Sequence, residues 1–500
     1  MSEYSLWNAL ERASDLNPRV LAVDCHAGQF NYEDFRDRIN RLASGLASFY
    51  HIQLGSRIVV LAGNCHRYVE LYWACVRLGA LLVPINVRLS RSEVQYIIDQ
   101  CDPALGVADS EECRARLVTV APKLPIIGWV EHDQMIDTSP VWEGLSPPAT
   151  APMGIFYTAA VDGKPQGAIV TSRNLLAQSL QIGLRLGLSS ADGYGNFLPL
   201  FHMFGACFAV MSGCFGATNV LPPTFDAPTA ADLVREGRVT FFSEFAPMAQ
   251  RLGDALAWES VAIGRLRLIV GIDSLEVIQR FVKLGVCWFN LYGQTEIAGL
   301  ATMGEVHGDQ DEAGYVGEPL CLTWMSIRDL DGRPLSSGMA GELWIRGPTV
   351  VERYWPDRPT RLTVDGWLKT GDVLKVDHGR WIFVGRTDDK YLIKSGGENV
   401  YPAEVELVLC AHPEVLQACV VGRADPVWQE RVCAAVVLRP GAAVSPEELA
   451  VFCRERIAAF KVPREFVTMA RIPRKNGAVD RDAVRRLLES EPPPVLPQHA

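Results

Sequence analysis

Two kinds of local grammar follow one another along this chain, and their order limits the folds open to it. In its first half, short β-branched runs alternate with helical stretches, as in Arg57-Ile58-Val59-Val60-Leu61, the helical pattern of Tyr68–Leu78 and then Ala80-Leu81-Leu82-Val83-Pro84. Strand, helix and strand in that order form a βαβ unit, whose strands pair in parallel with the helix packed across them. From about Gly314 to Gly385 the pattern changes to hairpins, with Asp331-Gly332, Asp365-Gly366 and His378-Gly379 between alternating runs such as Glu342-Leu343-Trp344-Ile345. After Gly385 come strand-like Ala418–Val421 and Ala434–Leu438, and a helix opening at Ser445-Pro446-Glu447-Glu448, with Ser as the cap and Pro in the first turn. The sequence therefore predicts an α/β protein of two domains. Residues 1–384 form a large N-terminal domain of layered, mostly parallel sheets with helices, including a small β subdomain at about 314–384, and residues 385–500 form a small α+β C-terminal domain. Five hundred residues suffice for such a core, and Glu491-Pro492-Pro493-Pro494 begins a tail expected to fray.

Charge narrows the partners. Forty-eight Lys and Arg against 58 Asp and Glu leave a net charge of −10, so no global field draws in nucleic acid or an anionic membrane. An anionic ligand must be held by a local site. Thirteen cysteines are scattered singly without a C-x-x-C pair, which suggests neither a zinc site nor a disulfide framework and fits a reducing cytoplasm. The start, Met1-Ser2-Glu3-Tyr4, lacks the pattern of a signal peptide. The uncharged run Phe204–Leu221 approaches membrane-span length, but it holds three glycines and ends at Pro222-Pro223, and it is read as a buried helix with no membrane span expected.

Four segments carry chemistry. The apolar Gly154-Ile155-Phe156 leads into a loop with Gly163, Lys164 and Gly167, and then into a helix at Arg173–Leu176, an arrangement that could cradle phosphates although it lacks the Walker spacing. Tyr292-Gly293-Gln294-Thr295-Glu296 follows the apolar strand Val286–Phe289, placing a hydroxyl and a carboxylate where a phosphate and Mg²⁺ could be held. Trp367–Asp372 puts a carboxylate on what reads as a tight turn, suited to ribose hydroxyls. Gly385-Arg386-Thr387-Asp388-Asp389 and then Lys394–Pro402 complete the series.

Taken in this order, the four segments resemble the acyl-adenylate-forming superfamily of acyl-CoA synthetases, peptide-synthetase adenylation domains and firefly-type luciferases. The resemblance runs from Phe30-Asn31-Tyr32-Glu33-Asp34 to Val479-Asp480-Arg481, and Pro199–Gly205 with Gly396–Pro402 place it closest to the acyl-CoA synthetases. It implies a reaction in which a carboxylate and ATP give acyl-AMP and pyrophosphate, after which the thiol of coenzyme A displaces AMP. By motif position Glu296 would hold Mg²⁺, while Thr295 and Thr158 would touch phosphates beside Gly163, Lys164 and Gly167. Tyr292 and Gly293 would line the adenine site, and Asp372 and Arg386 would bind ribose. Asp388 falls at a hinge about which a mobile C-terminal domain swings, so that one site serves both half-reactions. Lys394, Gly396 and Gly397 would serve coenzyme A, the glycines letting its pantetheine arm pass close to the backbone. His202 resembles a gate beside an acyl pocket lined by Phe201, Glu244, Phe245, Gly271 and Ile272.

The chain departs from the family pattern in three places. Ala159, Ala160, Val161, Asp162 and Gln166 replace hydroxyl, glycine and lysine residues of the phosphate loop, and the stretch between Asp389 and Gly396 is two residues longer than usual. Ala478 stands where the family has the lysine that bridges carboxylate and phosphate during adenylation. Two origins fit Ala478: a lysine exchanged for alanine, or a branch in which Lys475, Lys461 or Lys394 substitutes, Lys475 being the catalytic candidate. The pocket lacks the Asp that a peptide-synthetase domain places next to its phenylalanine, since His202 follows Phe201, so an α-amino acid is disfavoured and an apolar or aryl acid expected. Glu244 is read as a solvated loop carboxylate, with inward recognition of a polar group as the alternative. A carrier-protein thiol in place of coenzyme A, or a pseudoenzyme, are the other readings, and a monomer or homodimer is expected.

Overall fold

The parallel grammar of the first half closes into two sheets with helices between them. The computed structural model describes residues 4–158, 165–259, 263–307, 314–356, 358–360, 362–363, 365–387, 391–475 and 478–490. The chain divides into a first unit of Met1–Val87, Gln100–Tyr157 and Gly167–Gly385, and a second of Arg88–Asp99, Thr158–Gln166 and Arg386–Ala500.

In the first unit, a nine-stranded sheet has at its centre Leu21–Cys25, Thr218–Leu221, Gly193–Gly195, Phe241–Phe245, Leu268–Ile272 and Cys287–Gln294, each parallel to the next. The antiparallel Gly299–Glu305 extends it beyond Cys287–Gln294. Pro152–Thr158, Leu81–Pro84, Arg57–Leu61 and Leu105–Ala108 are neighbours in a second, eight-stranded sheet. Trp324–Arg328, Ala340–Arg346, Leu368–Asp377 and Arg380–Arg386 form the smaller four-stranded sheet that the hairpin signals predicted. Parallel strands buried on both faces need apolar side chains throughout, and the central strands supply them.

One helix shows how the core is filled. Met203–Phe215 is buried over nearly its whole surface, and it packs with Leu6–Leu16, His66–Leu78 and Ser172–Leu186 in one continuous apolar cluster. A helix that is apolar all round belongs inside a large core. The uncharged run Phe204–Leu221 is therefore two elements: this helix, ended by Gly216 at φ +75°, and the strand Thr218–Leu221. No helix of the described residues is long and apolar enough to cross a membrane.

In the second unit, Val415–Asp425 and Gln429–Leu438 form a long antiparallel pair, with Glu465–Thr468 added in parallel and Ile393–Ser395 and Glu398–Val400 alongside. Pro402–Cys410, Pro446–Arg454 and Arg481–Ser490 are its main helices, and Ser445 and Glu448 form the expected capping box.

Candidate active site

Ligands of open parallel sheets bind beyond the carboxyl ends of the strands, and several of the predicted residues of the first unit lie there. Cys287–Gln294 runs longer than the apolar stretch suggested, so Tyr292 and Gly293 stand on the strand itself. The hairpin to Gly299–Glu305 shifts register between Tyr292 and Gly293, and a Cβ at Gly293 would collide with the Gly299 carbonyl. Thr295–Ile297 is a single 3₁₀ turn closed by the N–H of Ala298 on the Thr295 carbonyl, at 2.9 Å. That turn holds Thr295 and Glu296 side by side. The Glu296 carbonyl accepts the N–H of Val351 at 2.8 Å and its Oε1 accepts the hydroxyl of Tyr354 at 2.9 Å, which fixes the carboxylate. Among the described residues no three His, Cys, Asp or Glu side chains converge as a metal cage. A lone carboxylate beside a hydroxyl fits Mg²⁺ carried in on a nucleotide, because that ion keeps several waters and takes phosphate oxygens.

Asp372 is not on a turn. It lies in the strand Leu368–Asp377, within a bulge where Thr370, Gly371 and Asp372 face the single residue Leu343 of Ala340–Arg346. Gly371 adopts φ +71°, a left-handed conformation that costs other residues more. The bulge turns Asp372 into the interior, where it is 4% exposed and its Oδ2 accepts the Tyr292 hydroxyl at 2.6 Å. Two residues eighty positions apart, both assigned to the nucleotide by motif, thus meet directly.

On the acyl side, His202 is the N-cap of Met203–Phe215, and its ring stands edge-on to Phe201 at 4.6 Å between centroids. Phe245 ends the strand Phe241–Phe245 against Phe204, at 5.2 Å. Glu244 corrects the sequence reading: it is a fully buried strand residue and not a solvated loop carboxylate. It pairs in parallel register with Gly271, and its Oε2 accepts the N–H of Ala249 at 3.4 Å, while Oε1 finds no partner among the described residues. Burial pushes its carboxyl well above the usual carboxylate range, and the neighbouring Asp273 pushes the same way. Asp273 is itself raised by burial, with a buried Oδ2 that has no partner among the described residues. Ile272, by contrast, is 43% exposed.

The phosphate loop differs from its reading. Between it and the helix Ser172–Leu186 lies the strand Gln166–Thr171, so the loop joins two strands and does not abut a helix N-terminus. That N-terminus is already capped by Thr171 and Asn174. Gly167 is a strand residue paired with Trp355, and the Thr158 hydroxyl reaches the Gln166 carbonyl at 3.4 Å. Gly163 and Lys164 lie outside the described residues, as does Asp388, and the side chains of Lys475 and Ala478 are likewise undescribed. Arg386 ends the strand Arg380–Arg386.

In the second unit, Lys394 lies on Ile393–Ser395 with its backbone N–H on Glu430. Gly396, at φ +59°, lies under the ring of Trp428, and a Cβ would approach Cε3 to 2.6 Å. Its missing side chain makes room for an indole. Gly397 has open space around its Cβ position. Lys461 is 3% exposed, and its ammonium lies 2.5 Å from Glu93 and 2.7 Å from Glu404. Burial opposes its charge, but the two carboxylates outweigh that and raise its pKa, and they hold Lys461 in a buried ion pair.

With this geometry in view, comparison with known proteins is decisive. The model of the AMP-binding enzyme family matches residues 10–355, and that of the AMP-binding enzyme C-terminal domain matches residues 404–477. The chain belongs to the AMP-binding enzyme family. It is 31% identical to the indoleacetate–CoA ligase of Aromatoleum aromaticum over 97% of this chain and 98% of that protein. It is 29% identical to a feruloyl-CoA synthase of an Amycolatopsis species over 95% and 97%. A solved double mutant of o-succinylbenzoate CoA synthetase from Bacillus subtilis, bound to a product analogue, superposes with a TM-score of 0.86 at 27% identity, covering 97% of this chain and 98% of that one. Within this AMP-binding enzyme, Tyr354, Glu342 and Trp428 escaped the sequence reading. Tyr354 lies 58 positions from its partner Glu296, and nothing local to either residue signals the contact.

The buried Glu244 gives a stability prediction. The folded chain holds its proton more tightly than the unfolded chain does, so its contribution is complete below the ordinary value of 4.5 and is lost as pH rises through the raised one. Glu244→Gln keeps the shape and stays neutral. The Tm of this variant minus that of the parent should be small near pH 4.5 and widen steadily towards pH 8. A gap that did not change with pH would mean that the Glu244 carboxyl titrates normally.

Proposed function

We propose that this AMP-binding enzyme joins an aryl or arylalkyl carboxylic acid to coenzyme A and cleaves ATP to AMP and pyrophosphate. In the first step a carboxylate oxygen of the acid attacks the α-phosphorus of ATP, and the bond to pyrophosphate breaks. In the second, the sulfur of coenzyme A attacks the acyl carbon, AMP leaves with its oxygen, and the thiol proton is released. The observation that supports the proposal most is the contact between Tyr292 and Asp372, a buried hydroxyl–carboxylate pair suited to a nucleotide, with Tyr292 close in sequence to Thr295 and Glu296.

Each residue has a task in this reading. Asp372 accepts ribose hydroxyls, Arg386 adds a cation for the ribose, and Tyr292 holds Asp372 and borders the base. Thr295 and Thr158 donate to phosphates, with Gly163, Lys164 and Gly167 in the loop. Glu296, steadied by Tyr354, would hold Mg²⁺, which when bound neutralises phosphate charge. His202, Phe201, Glu244, Phe245, Gly271 and Ile272 form the acyl side, and Lys394, Gly396 and Gly397 face coenzyme A. Asp388 is the hinge of a mobile C-terminal segment. The aromatic contacts of Phe201, His202, Phe204 and Phe245 favour a ring in the substrate. The relatives' names, with their indoleacetate, feruloyl and o-succinylbenzoate groups, agree. Thirteen free cysteines favour the cytoplasm.

The test is incubation with ATP, Mg²⁺ and coenzyme A and, in turn, phenylacetate, indoleacetate, ferulate, o-succinylbenzoate and phenylalanine, with acyl-AMP and acyl-CoA detected separately by mass. At least one aryl acid should give its CoA thioester, and phenylalanine none, since its buried ammonium would lack a partner. Acyl-AMP without thioester would favour a carrier-protein thiol, and nucleotide binding without either product would favour a pseudoenzyme.

Ala478 favours weak adenylation as the state of this chain. A charged contact to a transition-state phosphate is worth about 10²-fold or more in rate. Ala478→Lys should therefore raise acyl-AMP formation at least about tenfold, while capture of supplied acyl-AMP by coenzyme A changes little. If adenylation did not respond, Lys475→Ala would be the next variant, and its loss of activity would place the function at Lys475.

A further inference from the structure

We infer that Glu342 is a positioning residue for the nucleotide site, whose carboxylate, reaching across from the adjacent strand, sets the bulge that presents Asp372. The inference rests on the reading that Asp372 receives the ribose. In the bulge, three residues of Leu368–Asp377 face Leu343 alone, so the regular ladder is interrupted between the pairs Glu342–Val373 and Trp344–Lys369. Side chains replace the missing ladder bonds. Oε1 of Glu342 accepts the N–H of Gly371 at 3.0 Å, and the hydroxyl of Thr370 accepts the N–H of Asp372 at 3.1 Å while donating to the Leu343 carbonyl at 2.7 Å.

Glu342 is itself held at its other oxygen. Oε2 accepts the indole N–H of Trp344 at 2.9 Å, and that indole is 7% exposed, with Arg328 4.5 Å and Lys369 4.9 Å from its ring centre. The carboxylate is thus clamped between an immobile indole and the backbone of the bulge. A carboxylate accepting a backbone N–H makes a stronger bond than a neutral acceptor does. The bonded N–H belongs to Gly371, the residue at φ +71° immediately before Asp372. A shift of the Gly371 peptide moves the Asp372 carboxylate relative to Tyr292 and to anything it binds, and a misplacement of about 1 Å in a site can cost about 10²-fold.

A purely structural role would weaken all nucleotides equally, whereas a positioning role weakens the ribose contact selectively. The experiment measures by calorimetry the affinities of ATP and of 2′,3′-dideoxy-ATP for the parent, Glu342→Ala, Glu342→Gln and Asp372→Ala. Two hydrogen bonds to a carboxylate should give the parent a preference for ATP of about tenfold or more. Asp372→Ala should abolish that preference. Glu342→Ala should bring it below about threefold, and Glu342→Gln, which keeps one oxygen for Gly371, should lie between. If Glu342→Ala kept the parent's preference while Asp372→Ala lost it, the inference would be wrong and the ribose reading would stand. If Asp372→Ala also kept it, or the parent showed none, the ribose reading itself would fail. Should Glu342→Ala not fold, the preference of Glu342→Gln decides: an undiminished preference overturns the inference, and a diminished one supports it.

Discussion

Burial of the helix Met203–Phe215 is the constraint on which the rest of the first unit depends. A helix with no polar face must be covered on every side, and the elements that cover it fix the spacing of the core around them. It also determines how the preceding loop is held. The Leu200 N–H goes to Oδ1 of Asn64 at 2.8 Å, the Asn64 amide donates to the Leu198 carbonyl at 2.8 Å, and the Tyr72 hydroxyl donates to the Leu200 carbonyl at 2.7 Å. Buried backbone polar groups need partners, and these are side chains from or just before the helix His66–Leu78. Phe201 and His202 therefore stand on a loop anchored in the core, which suits the acyl-pocket role proposed for them.

The proposed nucleotide side is built on irregularities of strands. At Tyr292–Gly293 the hairpin slips register, and at Thr370–Asp372 the strand bulges. Each departure takes main-chain groups out of the ladder and redirects a side chain, which is why bulges gather beside sites. The energetic condition is that every displaced group finds another partner. Glu342 and Thr370 meet it at the bulge, and at the hairpin Gly293 lets the two strands close up where a Cβ would collide with the Gly299 carbonyl.

The sequence made the fold class legible because periodicity reports directly on burial. The alternation of β-branched and helical runs, the hairpin dipeptides and the Ser445 cap all describe contacts within a few residues. The chemistry-bearing segments were legible as motifs for the same reason. Their support was not. Tyr354 on Glu296 and Glu342 on Gly371 join positions 58 and 29 apart, and Trp428 over Gly396 joins two loops. Glu244 departs from the sequence expectation for a related reason: glutamates are rarely fully buried, and only the strand pairing with Gly271 places this one inside. The Asp372 bulge was read as a turn because Thr-Gly-Asp has turn composition, and only the strand pairing on both sides distinguishes the two.

Ala478 raises the question of whether some other cation takes over the missing charge. Lys461 is the instructive case, because it is close in sequence and two carboxylates raise its pKa. To reach a phosphate it would have to leave Glu93 and Glu404, which lie 2.5 Å and 2.7 Å away with little exposure to water. Breaking a buried pair by removing one partner costs about 3–5 kcal/mol, since the remaining charge stays desolvated. Here two like charges would be left facing each other, so the cost lies at the upper end. Lys461 is a structural cation, spent on its own unit. At the edge of the phosphate loop, Gln166 stands where the family pattern has a lysine, and it lies on a strand with its carbonyl turned to Thr158. A cation opposite the phosphates matters most in the half-reaction in which two anions meet. The thioester step brings a thiol or its thiolate to the acyl carbon of a mixed anhydride, in which the acid's own carboxylate charge is already gone, and it demands less of that cation.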